Sequence, residues 1–322
     1  MVGNDVFYVA LEPMTQSFVE ALRVSEAFPF SALPVADVRA ALTNLQSGPI
    51  GKPDASINDM TFPVGPEGTI RVRIVRPKYA PEAVPVVMFF HGGCWVAGDV
   101  DTHDRLVREI AIATRAAVVF VSFRRPPEVQ FPLPVEEAYA ATEYVVKNAN
   151  RLNLDGTRLA VVGDGTGGNI AIAVTILCKE RRGPKIVLQV LFYPVTSDGS
   201  AATSCMSWCD GPWVTKHDMD RFWDAYLPDR DGRLSVAAAP LNATIDQLRG
   251  LPDALLITAE VDMLRDEGEA FARKLSEAGV RTTCTRYIGT IHDFVMLNAL
   301  ADTPAARGAI EQANFALRCA LA

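Results

Sequence analysis

The stretch Val161-Val162-Gly163-Asp164-Gly165-Thr166-Gly167-Gly168-Asn169 closes an apolar run and opens a helical one. A sharp strand-to-helix turn of this kind puts one side chain at its tip and aims the next N–H at the same space. Small residues must flank the tip, because helix and strand pack closely there. Gly163, Gly167 and Gly168 meet that need. The usual occupant of the tip is a nucleophilic hydroxyl; here it is Gly165, which has no side chain to react.

Three more groups follow apolar runs directly. In His91-Gly92-Gly93-Cys94-Trp95 the paired glycines let backbone N–H groups approach a substrate oxygen, as an oxyanion hole requires. Alone, that segment also reads as a plain glycine-rich turn. Glu260-Val261-Asp262-Met263-Leu264-Arg265-Asp266-Glu267, taken alone, is a solvated helix N-terminus with acids near the dipole. Ile291-His292-Asp293-Phe294 supplies a histidine in a loop. Their order carries the weight: tip, then acid, then histidine is the chain order of an α/β-hydrolase triad. Asp262 then holds the imidazole of His292, and His292 shuttles the proton. The spacing of Gly163, Gly165 and Gly168 also fits a dinucleotide fingerprint, but that motif belongs to the first strand of its domain. Where its acidic residue belongs, the chain reads Lys179-Glu180-Arg181-Arg182-Gly183.

The elements around these groups alternate. VPVVMFF (84–90), AAVVFVSF (116–123), RLAVVG (158–163), KIVLQVLFYP (185–194) and ALLITAE (254–260) are continuous apolar runs, which suit strands covered on both faces. TIRVRIVRP (69–77) alternates instead, as a half-buried strand does. Helical patterns lie between them, predicting an α/β fold with a mostly parallel, doubly wound sheet. Residues 15–46 read as two helical pieces around a proline-containing break. Residues 198–250 interrupt the alternation with Trp213, Phe222, Trp223 and Tyr226 near helical spacing. This pattern reads as core packing of a helix and equally as a cap over the sheet's C-terminal edge.

Composition narrows the function classes. The 322 residues are 49% hydrophobic with mean hydropathy +0.13, enough for a sizeable core. A net charge of −7 argues against a nucleic-acid or anionic-membrane surface. No run suits a membrane span, and the N-terminal MVGNDVFYVALEP lacks the basic segment of a targeting signal. Cys94, Cys178, Cys205, Cys209, Cys284 and Cys319 have no zinc-site spacing; free thiols in a reducing cytoplasm are expected. The C-terminal TPAARGAIEQANFALRCALA is a candidate homodimer seam, ranked behind a plain amphipathic helix packed on the sheet.

The chain resembles the hormone-sensitive-lipase family of α/β-hydrolases, the bacterial family IV esterases, from about residue 60 to the C-terminus. HGGCWVAGD resembles that family's HGGGW loop, GDGTGG its GDSAGG elbow, DMLRDEG its DPLRDEG segment and IHDF its HGF. FRRPPEVQFPLPVEEAY is similar to its YRLAPEHPFPAAVEDAY stretch. The resemblance implies hydrolysis of carboxylic esters of short or medium acyl chain, without cofactor or metal. It implies a cap formed by residues 1–50 and 198–250 over a catalytic core of 51–197 and 251–322. It puts Gly92, Gly93 and the N–H of Thr166 in the oxyanion hole, Asp262 and His292 as acid and base, and Gly165 at the nucleophile position. Cys94 and Asp293 depart from the pattern more mildly.

Gly165 closes the covalent route. Removing a triad serine costs on the order of a millionfold in kcat, roughly 8 kcal/mol. Thr166 is next in line, but an elbow aims only one side chain at the pocket and its neighbour donates an N–H; Cys94 and a water activated by His292 are the other candidates. The alternative to an impaired esterase is a protein that binds a small ester-like ligand on the same fold without turnover.

Overall fold

The structure is a computed structural model that describes residues 9–25, 29–80, 83–198 and 203–322. One sheet of eight strands organises it: β1 (Ser56–Phe62), β2 (Ile70–Arg76), β3 (Val84–Phe90), β4 (Ala117–Ser122), β5 (Leu154–Asp164), β6 (Leu188–Phe192), β7 (Asp253–Val261) and β8 (Thr282–Ile291). The spatial order is β1-β2-β4-β3-β5-β6-β7-β8. From β4 to β8 every neighbour is parallel, while β2 runs antiparallel to both β1 and β4. The sheet is thus mostly parallel, as the apolar runs predict. Strands β3 to β7 read as continuous Val, Ile, Leu and Phe because helices cover both faces.

Strand β1 has no counterpart in the sequence reading, for a physical reason. It is an edge strand whose first four residues are exposed and whose only buried residue is Phe62. It therefore carries no apolar pattern. Its pairing is set by the ladder to β2 and by Arg73, whose Nε donates to Asp59 Oδ1 at 2.7 Å.

The helices are α1 (Pro13–Arg23), α2 (Val35–Gln46), α3 (Asp104–Thr114), α4 (Leu133–Lys147), α5 (Thr166–Glu180), α6 (Thr203–Ser207), α7 (Lys216–Tyr226), α8 (Ile245–Leu248), α9 (Arg265–Glu277) and α10 (Pro304–Ala320). Helix α5 is buried through Cys178 from its first residue, so it reads as apolar all round rather than amphipathic. The C-terminal α10 buries Ala306, Ala309, Ile310, Ala313 and Leu317 on one face and packs against α3 and the sheet.

The N-terminal helices and the 198–250 insertion meet each other. The Ser31 N–H donates to Asp218 Oδ1 at 2.5 Å, and Arg221 Nη1 donates to the carbonyls of Phe30 and Ser31. The rings of Phe18 and Phe30 lie 5.7 and 5.1 Å from that of Trp213. A capping box between Thr215 and Asp218 starts α7. Trp213, Phe222, Trp223 and Tyr226 of the insertion are all buried, and Trp95 stacks on Tyr226 at 4.3 Å. They are core packing and, through Trp95, the roof over the loop that follows β3. Among the described residues no helix is long and apolar enough to cross a membrane, and the six cysteines are unpaired. Residues 1–8, where the leader question falls, lie outside the described residues.

Candidate active site

The turn between β5 and α5 is built by close approach. A Cβ on Gly167 would overlap the carbonyl oxygen of Phe90 at the end of β3, so the helix can start this near the sheet only with glycine there. At the tip, Gly165 has φ +51° and ψ −117°. A side chain in such a conformation costs about 1–3 kcal/mol. The tip is held on both sides: the Gly165 N–H donates to the Phe192 carbonyl at 2.9 Å, and its own carbonyl accepts from the Val195 N–H at 3.0 Å. A Cβ built on Gly165 would lie 3.2 Å from Nε2 of His292 and 4.0 Å from Oδ1 of Asp293. The tip therefore faces the histidine expected to serve it.

His292 follows β8 and Asp262 follows β7, adjacent parallel strands that end at the same edge of the sheet. His292 Nδ1 is 2.8 Å from Asp262 Oδ2, and Asp262 Oδ1 accepts the Leu264 N–H at 2.9 Å. Both residues are buried, and Tyr193 packs edge-on against the imidazole at 4.8 Å. Asp262 thus fixes the ring so that Nε2 points to the tip. Burial alone would lower the pKa of His292. The carboxylates of Asp262 and Asp293 outweigh it, and the imidazole is pushed up to about 9.

The loop after β3 bends through positive φ at Gly93 (105°), Cys94 (55°) and Trp95 (61°). One expectation changes here. The Gly92 N–H already has an acceptor: it donates to Asp164 Oδ1 at 3.0 Å. Thr166 is the first residue of α5, where N–H groups have no partner within the helix. Its hydroxyl accepts the Trp95 N–H at 3.1 Å, which ties it to the loop. Cys94 is half-buried as a residue, but its thiol is raised well above the usual range, by burial first and then by Asp293 and Asp218. A neutral thiol is a poor nucleophile.

Sequence reasoning missed the support beneath the turn. Asp164 is fully buried; its Oδ1 holds Gly92 and its Oδ2 lies 3.2 Å from Nε2 of His103 at the start of α3. Burial pulls the His103 pKa down, yet Asp164 leaves it raised overall. A lone acid at the end of an apolar strand was the available signal for Asp164. His103 gave none, since Thr102-His103-Asp104 reads as an ordinary helix start. Glu267 is a second buried acid. It accepts the N–H groups of Thr196 and Ser197 at 2.6 and 3.0 Å and the Ser197 hydroxyl at 2.8 Å. Burial raises it to about 7 despite those bonds.

This fold and this Asp–His pair, set against a glycine-rich strand-to-helix turn, define a class of protein. Residues 87–296 match the model of an alpha/beta hydrolase fold family. The chain belongs to that family and has a hydrolase scaffold. It is 34% identical over 318 residues to the carboxylesterase NlhH of Mycobacterium tuberculosis, covering 97% of this chain and 96% of that protein. It is 36% identical over 301 residues to a putative alpha/beta hydrolase of Acanthamoeba polyphaga mimivirus, covering 94% and 86%. The crystal structure of a thermostable esterase from Pseudomonas putida superimposes with a TM-score of 0.95 at 40% identity, covering 97% of this chain and 98% of that one.

Proposed function

We propose that this chain is a carboxylic-ester hydrolase of the hormone-sensitive-lipase type whose nucleophile position is Gly165, and that it is nearly inactive for that reason. The observation that carries the reading is the direction of the tip: a Cβ at Gly165 falls 3.2 Å from Nε2 of His292. A hydroxyl one bond further out would be within reach of that nitrogen. Asp262 orients His292, and His292 is the base and later the acid. The ester carbonyl oxygen rests against the N–H groups of Gly93, Cys94 and Thr166. Cys94 takes the place first given to Gly92, whose N–H already has an acceptor. The N-terminal helices and the 198–250 insertion act as the cap, and the resemblance to the hormone-sensitive-lipase family implies esters of short or medium acyl chain.

Without a hydroxyl at residue 165 no acyl-enzyme forms, and the oxyanion hole with binding leaves about 10³–10⁴-fold over water. The test is hydrolysis of p-nitrophenyl esters of graded acyl length at pH 9 by the chain and by Gly165→Ser. Activity in the serine form alone supports the reading, and the length profile sizes the pocket. Saturable binding of an ester without turnover in either form would support a ligand-binding protein instead.

A further inference from the structure

Asp293 stands next to His292 at a position with φ +64°, in the left-handed region that favours glycine. It is buried, and Trp213 of the insertion donates its Nε1–H to Oδ2 at 2.9 Å. The other oxygen, Oδ1, is buried and closes no hydrogen bond. It lies 3.5 Å from Nε2 of His292 and 4.0 Å from the place of a Cβ on Gly165. Nε2 is the nitrogen a hydroxyl at residue 165 would have to engage. The missing nucleophile and the added carboxylate therefore meet at one point.

We propose that Asp293 is a positioning residue that holds His292 as an imidazolium, a second block on catalysis independent of Gly165. Each ring nitrogen faces a carboxylate, Asp262 at Nδ1 and Asp293 at Nε2. A base that already holds its proton, paired to a fixed anion, cannot take one from a hydroxyl. The other groups around the ring do not offset this. Asp164 from the turn adds negative charge at the ring, Asp218 from α7 does so at the neighbouring Cys94, and Glu267 interacts with Asp262. Tyr193 after β6 and Cys94 in the β3 loop are neutral, both raised well above their usual range by burial. Two cationic groups of the α3 segment stand nearby, and both are paired: His103 with Asp164, and Arg105, which donates to the carbonyls of Val295 and Met296 and faces Tyr193, with Glu109. The Asp293 carboxyl is itself raised overall, by burial first and also by Asp164, while the adjacent imidazolium, the Trp213 N–H and His103 act the other way and favour its charged form.

This inference rests on the ester-hydrolase reading, and the test separates the two. Ethyl butyrate hydrolysis is followed by pH-stat from pH 6 to 10 for Gly165→Ser and for the double variant Gly165→Ser/Asp293→Gly. The expected result is that the acidic limb of the single variant lies at least one pH unit above that of the double. At pH 7 the single variant is then slower by tenfold or more, and the two converge by pH 10. Coincident pH profiles would overturn the inference while leaving the ester-hydrolase reading intact. Silence from both variants at every pH would instead sink that reading. The inference is then judged by NMR titration of His292 in the otherwise unaltered chain and in Asp293→Asn, which keeps the shape and removes the charge. The imidazole should titrate at least one pH unit lower in the variant; an unchanged titration overturns the proposal.

Discussion

The protonated His292 makes a prediction about stability as well as chemistry. Its pKa is raised from the ordinary 6.5 to about 9 in the fold. A group whose folded pKa lies above its unfolded value stabilises the protein fully below pH 6.5, and that contribution is lost as pH rises through 9. At 1.36 kcal/mol per pH unit the amount is on the order of 3 kcal/mol, and full burial leaves little solvent screening to reduce it. The perturbation is His292→Gln, which removes the titration and keeps a polar side chain. Urea unfolding of both proteins at pH 6.0 and pH 9.5 isolates the histidine from all other titrating groups. The stability gap between them should be about 3 kcal/mol larger at pH 6.0 than at pH 9.5. A gap that is the same at both pH values, or larger at pH 9.5, would refute the assignment of His292 as a cation between two carboxylates.

Further expectations come from the frame of the site. Gly167→Ala places a methyl group onto the Phe90 carbonyl and should cost at least about 3 kcal/mol in denaturant unfolding or leave no folded protein, because backbone on both sides must move. The thiol of half-buried Cys94, raised well above its usual range, should react more slowly with iodoacetamide at pH 7.5 than the exposed Cys319, as read by peptide mass spectrometry; equal labelling of the two would contradict a raised thiol. Glu267→Ala leaves two backbone N–H groups and one hydroxyl without their acceptor and should lower unfolding free energy by on the order of 3 kcal/mol at pH 8. A change under 1 kcal/mol would mean that water replaces the carboxylate without cost.

The parallel part of the sheet was legible because burial on both faces writes itself as unbroken apolar runs, as in VPVVMFF and ALLITAE. Helices α1 and α2 were likewise visible on either side of their proline break. Strand β1 was not, since an exposed edge strand selects for nothing apolar. In the site, residue type and chain order sufficed to bring Gly165, Asp262 and His292 together. The share of donors in the β3 loop was not readable, because it depends on which N–H the Asp164 carboxylate captures across 72 residues of sequence. The position of Asp293 was hidden for a similar reason. Its adjacency to His292 is trivial in the sequence, but the left-handed turn and the Trp213 bond that aim it at Nε2 are tertiary facts.

The most direct test of the central claim is active-site titration with a p-nitrophenyl alkylphosphonate at pH 9.5, followed by intact-protein mass spectrometry. The account predicts that Gly165→Ser releases one equivalent of p-nitrophenol and gains one phosphonyl adduct, while the unaltered chain gains none. An adduct on the unaltered chain would place the nucleophile on another residue, and no adduct on either form would contradict a site built around residue 165.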